Sequence, residues 1–197
     1  ADAMIRQAFL IFGPNSQLLY GFTLFLIFFS VCYRHRETLL NDQVNLRYLV
    51  MMIGESLVWC SGLLITMKGF SSFFIASPMT SDLLEQFYLS IGAGIWEELI
   101  FRFGLISLLA YIIKLIFRYG KPLSVFLSLL ISGILFSLFH YIGIYGDVFT
   151  WQTFTLRAFA GVFLGVVFLF RGLGISVYTH IFYDMVLVSL PVIGLTS

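Results

Sequence analysis

Residues 94–117 read GIWEELIFRFGLISLLAYIIKLIF, an apolar stretch long enough to cross a bilayer that carries Glu97, Glu98 and Arg102 near its start. About 20 such residues in helical form span a hydrocarbon core roughly 30 Å thick. Lipid offers no partner for backbone amides, so a helix is the form that satisfies them within the segment. Working outward, the composition agrees: 60% of the 197 residues are hydrophobic, 11% are charged, and Phe alone occurs 23 times. Apolar runs predict six spans, at about 17–33, 46–67, 84–113, 123–144, 153–170 and 173–192. The third stays apolar to Phe117, so it is either one long tilted helix or a helix with a break. Phe9 to Phe12 and Gly69 to Met79 are too short to cross and are expected at an interface. The expected fold class is all-α: a polytopic transmembrane bundle of about six spans plus short interfacial segments, with no room for a separate soluble domain.

Loop charges give an orientation. Arg34, Arg36 and Arg47 fall in the first connection, Lys114, Arg118 and Lys121 in the third and Arg171 in the fifth, against Arg6 and Lys68 on the other side. The odd connections are therefore expected in the cytoplasm, with both termini outside. A net charge of +1 with eleven scattered Lys and Arg lacks the clustered basic face that phosphate binding needs, which excludes a nucleic-acid partner. Cys32 and Cys60 lie in different apolar runs without CxxC spacing and read as ordinary buried thiols.

Each Glu or Arg at a bilayer centre costs roughly 2.5–3.5 kcal/mol on insertion scales, so three within six residues must serve something. Glu98 and Arg102 are four apart and lie on one helical face, close enough to pair. Glu97 is rotated by about 100° from Glu98 and away from Arg102, the position of a candidate general base. The plainer reading is a buried ionic staple between helices. Two of the three histidines in the chain, His140 and His180, also fall inside spans, and Asp184 follows His180 by four residues on the same face. An acid, two imidazoles and a carboxylate form a set that activates water or binds a metal.

These residues fall in three motifs, Glu97-Glu98-Leu-Ile-Phe-Arg102, Phe136-Ser-Leu-Phe-His140 and His180-Ile-Phe-Tyr-Asp184. The chain thereby resembles the CPBP intramembrane proteases, or Abi family, which includes the Rce1-type CAAX prenyl endopeptidases and bacteriocin-processing enzymes. That family's pattern is EExxxR, FxxxH and HxxxN or HxxxD on membrane helices, in this order. The resemblance covers about residues 83–192 and divides the chain into N-terminal spans without an assigned motif, 1–82, and a catalytic membrane domain, 83–197.

The resemblance implies glutamate-dependent peptide hydrolysis without a covalent intermediate and without a cofactor. Glu97, helped by His140, would draw a proton from the attacking water, while His180 and residue 184 would stabilise the oxyanion; Glu98 and Arg102 complete the site. In the prenyl-protease branch an Asn donates an amide at the last position, whereas an ionised Asp184 only accepts. Asp184 is thus either protonated or a carboxylate that orients His180. A zinc site made by Glu97, His140, His180 and Asp184 is the alternative chemistry, although the HExxH pattern is absent. The implied partner is a membrane-associated peptide or the tail of a protein, lipidated or not, and the implied setting is the lipid bilayer of a prokaryotic cytoplasmic membrane. Two other classes stay open: a non-catalytic immunity or scaffold protein, and a proton-coupled transporter, the latter weakened by the lack of repeats.

Remaining features read more simply. Glu55 is expected to hydrogen-bond to a neighbouring helix, and Arg157 to snorkel to the interface from the outer end of the fifth span. Gly161 and Gly165 form a GxxxG that brings helices close, within the bundle or between protomers. Gly92 and Gly94, one turn from the glutamates, admit either a substrate backbone or close packing.

Overall fold

The computed structural model describes residues 46–70, 83–143 and 146–189, with single residues between 13 and 33. Two compact units divide the chain, Ala1–Met51 and Met52–Ser197. In the first, Phe25, Phe29 and Tyr33 follow at four-residue steps with ring centroids 6.3 and 6.5 Å apart, the spacing of one helix face. Leu18, Leu19, Phe22 and Leu26 are helical as well, while the other residues of the span expected at 17–33 lie outside the described residues, as do Cys32, Phe9 to Phe12 and residues 71–79.

The described chain is all-helical. Its elements are α1 (Leu46–Phe70), α2 (Leu83–Glu97), a π-helical segment (Glu98–Ile106), α3 (Ser107–Phe117), α4 (Lys121–Phe139), α5 (Trp151–Arg171) and α6 (Leu173–Ser189). Four stretches are long and apolar enough to cross a membrane: Leu46–Lys68, Gln86–Phe117, Lys121–Phe139 and Trp151–Arg171. The shorter apolar α6 joins them. The third predicted span is thus one unbroken helix of α2, π segment and α3, and the change of helical pitch takes the place of a break.

Local signals explain where these helices stop. Arg118, in the left-handed region at φ 54°, ends α3, and Pro122 in the first turn opens α4. Span four was expected to reach 144, yet α4 closes at Phe139, because the Asp147 amide bonds to the His140 carbonyl at 2.9 Å and turns the chain back. The Thr150 hydroxyl accepts from the Thr153 amide and caps α5. Gly172, at φ +88°, makes the sharp link from α5 to α6 that a β-carbon would strain.

Large apolar side chains such as Leu108, Tyr111, Leu115 and Phe126 point outward, while Ser56, Ser128, Ser132, Ser137, Ser176 and Thr179 are buried. Small hydroxyl residues at helix contacts are how membrane bundles pack and satisfy polar groups. Ser132 donates to the Phe101 carbonyl at 2.8 Å and Ser137 to the Phe154 carbonyl at 2.7 Å. The GxxxG serves this bundle: a β-carbon on Gly161 would lie 3.0 Å from the Gly133 Cα, and one on Gly165 would lie 2.4 Å from a Leu129 methyl. Gly94 likewise packs against Ile181, so close helix contact and not substrate access accounts for it. Leu63 and Met67 of α1 meet Ala160 and Leu164 of α5 in a buried apolar cluster. Glu55 does reach a neighbouring helix: Arg171 grips both carboxylate oxygens, one at 2.7 Å, and the Trp59 indole donates at 3.3 Å.

Candidate active site

Glu97 closes α2 and Glu98 opens the π segment. An α-helical turn would set their side chains about 100° apart, but the wider i→i+5 turn begins between them. Both carboxylates are buried, at 4% and 0% exposure. Such π segments are uncommon and recur at functional sites, where the widened turn re-aims side chains.

Glu98 is a hub. Arg102 Nη1 stands 3.1 Å from its Oε1 in an ion pair without hydrogen-bond alignment, His180 Nδ1 lies 2.9 Å from the same oxygen, and the Ser176 hydroxyl donates to Oε2. Arg102 is 1% exposed, donates from Nη2 to the Gly161 carbonyl at 3.4 Å and lies over the Phe136 ring at 4.4 Å. The expected Glu98–Arg102 pair is present, and the carboxylate also holds His180.

Glu97 faces the other nitrogens of both imidazoles. Its Oε2 lies 4.0 Å from His140 Nε2 and 3.7 Å from His180 Nε2. His140 Nδ1 is 2.8 Å from the Phe136 carbonyl, which only accepts, so Nδ1 carries hydrogen and Nε2 is turned toward Glu97. The Phe136 ring packs edge-on against both imidazoles, 4.9 Å from His140 and 6.0 Å from His180. FxxxH thus places carbonyl, ring and imidazole on one turn. Asp184 Oδ2 lies 3.6 Å from His180 Nε2, on the Glu97 side of the ring. The carboxylate bonded to the orienting nitrogen of His180 is Glu98, not Asp184.

These groups open onto one cavity of about 350 Å³ whose walls include Glu97, His140, His180 and Asp184. The family described as type II CAAX prenyl endopeptidase Rce1-like matches residues 78–186, more than half of the chain. The chain belongs to the Rce1-like family. Comparison with curated proteins and with solved structures returns no match. At family level an Rce1-like protein is a membrane CAAX-type protease with a membrane-associated peptide or protein as substrate. The apolar helices make this one an integral membrane protein.

All six predicted residues of the Rce1-like chain converge: Glu97 at the end of α2, Glu98 and Arg102 on the π segment, His140 at the end of α4, and His180 and Asp184 on α6. Among the described residues, no three His, Cys, Asp or Glu side chains have the arrangement of a metal site. The site also holds residues that sequence reading missed. Ser176 precedes His180 by four residues on the same face, a spacing that was there to be read. Met67 of α1 and Tyr183 of α6 line the cavity without any motif to announce them.

Proposed function

We propose that this protein hydrolyses a peptide bond in the C-terminal tail of a membrane-anchored CAAX-type peptide or protein, with Glu97 and His140 activating water. What carries the reading is one carboxylate oxygen, Glu97 Oε2, standing 4.0 and 3.7 Å from two imidazole nitrogens on the wall of a cavity. Both separations exceed a direct hydrogen bond and suit a bridging water oxygen. Water held there attacks the scissile carbonyl carbon and gives its proton to Glu97. Negative charge then develops on the carbonyl oxygen, and His180 Nε2, fixed from behind by Glu98, donates to it. Asp184, 3.6 Å from the same nitrogen, shares its proton. Collapse breaks the C–N bond, the proton on Glu97 passes to the leaving amine, and a new carboxylate and a free amine result. No bond forms between enzyme and substrate.

The test is incubation of purified protein with a farnesylated peptide ending in Cys-Val-Ile-Met, in water enriched in ¹⁸O. The expected products are a shortened farnesyl peptide with one ¹⁸O in its new carboxylate, and an unlabelled C-terminal fragment. An intact peptide after prolonged incubation, with folded protein, would overturn the reading.

A further inference from the structure

Arg157 is more than a snorkelling cation. Its guanidinium pairs with Asp147 and lies 5.4 Å from the Tyr141 ring centroid, one residue past His140. Its Nη1 has no hydrogen-bond partner among the described residues, and the side chain as a whole is 29% exposed. A guanidinium held on one side by a carboxylate keeps further N–H groups for a second acceptor. Arg157 lines the same cavity as Glu97, and among the described lining residues it is the one cation of fixed charge. Gln152 and Thr153, in the first turn of α5, line that cavity as well. The positive end of the helix dipole and a guanidinium thus serve one space whose other charged walls, Glu97 and Asp184, repel anions.

We propose that Arg157 is the anchor for the free C-terminal carboxylate of the substrate and sets the distance from chain end to cleaved bond. The substrate's identity in this inference rests on the hydrolytic reading above. A bond within a four-residue tail lies at most three residues, roughly 10 Å of extended chain, from the terminal carboxylate. A carboxylate in a membrane cavity needs a fixed partner, and a planar guanidinium on the cavity wall supplies one at a defined place. Asp147 neutralises part of the Arg157 charge before the substrate arrives.

The experiment measures binding and cleavage separately on the detergent-solubilised protein, with the farnesylated Cys-Val-Ile-Met peptide as free acid and as C-terminal amide. The parent binds the acid roughly tenfold or more tightly than the amide, and Arg157→Gln brings that ratio close to one. Asp147→Asn keeps the preference, because it removes only the competing carboxylate. The anchor is refuted by a parent that does not discriminate, by Arg157→Gln retaining the parental ratio, or by Asp147→Asn abolishing it as fully as Arg157→Gln does. Acid preference without cleavage by the parent would sink the hydrolytic reading alone; binding of neither peptide would sink both. Should Arg157→Gln fail to fold, the acid peptide with a diazirine on its last residue is photolysed on the parent instead. Labelling of residues 152–157 supports the anchor, and labelling confined to other helices overturns it.

Discussion

Arg102→Ala should destabilise the bundle more than any loss of side-chain volume would suggest. The guanidinium is 1% exposed, its carboxylate partner Glu98 is fully buried, and the two stand 3.1 Å apart. Breaking a buried pair by removing one member costs about 3–5 kcal/mol, because the other charge stays behind. Here Glu98 keeps His180 and Ser176 as hydrogen-bond partners, which argues for the lower end, about 3 kcal/mol. The lost bond to the Gly161 carbonyl and the lost contact with the Phe136 ring add to it. At about 2–4 °C per kcal/mol for a chain of this size, the apparent melting temperature in detergent should fall by roughly 6–12 °C. The assay is a fluorescence melt of purified protein at one fixed scan rate, since membrane proteins unfold irreversibly. Glu98→Gln combined with Arg102→Met removes both charges and should melt above Arg102→Ala. An Arg102→Ala protein that melts within about 2 °C of the parent would refute the paired-charge account, since that shift corresponds to less than about 1 kcal/mol.

Asp184→Asn should keep at least about a tenth of parental activity in a metal-free site, because an amide can donate beside His180; near-stoichiometric zinc in the parent with a dead Asn variant would establish the metal chemistry instead. Gly161→Val should lower stability by about 1–3 kcal/mol, since its β-carbon meets backbone at Gly133 Cα; a melt at the parental temperature would show that the helices can part. Cysteine labelling at positions 40 and 119 should report the cytoplasm, and at position 147 the outside. The reversed pattern would place the turn joining α4 to α5, and the cavity-lining start of α5, on the cytoplasmic side.

The fold class was legible because an apolar run of 20 residues has one cheap solution in lipid, and the unbroken run to Phe117 became the continuous helix Leu83–Phe117. The grouping of the candidate site was legible for the complementary reason: Glu97, Glu98, Arg102, His140, His180 and Asp184 are costly in those runs, so their presence marks them, and the fold brings them together. The four-residue spacings held, with Glu98 on Arg102 at 3.1 Å and His180 near Asp184 at 3.6 Å. What an α-helical period could not show is how Glu97 and Glu98 both turn inward. A π turn depends on partners from other helices, such as the Ser132 hydroxyl on the Phe101 carbonyl, and these are distant in sequence. In sequence Arg157 reads as an interfacial cation, because its place on one cavity wall with His140 follows from the return of the chain that the Asp147 amide makes on the His140 carbonyl.

The most direct test of the account is the turnover of Glu97→Gln on the farnesylated Cys-Val-Ile-Met peptide, measured beside its peptide affinity and its melting temperature. The substitution keeps the shape and removes the base, so kcat should fall by about 10²–10⁴-fold. Binding and melting temperature should stay near the parental values. A Glu97→Gln protein that cleaves within a few-fold of the parental rate would remove Glu97 from the chemistry and with it the mechanism described above.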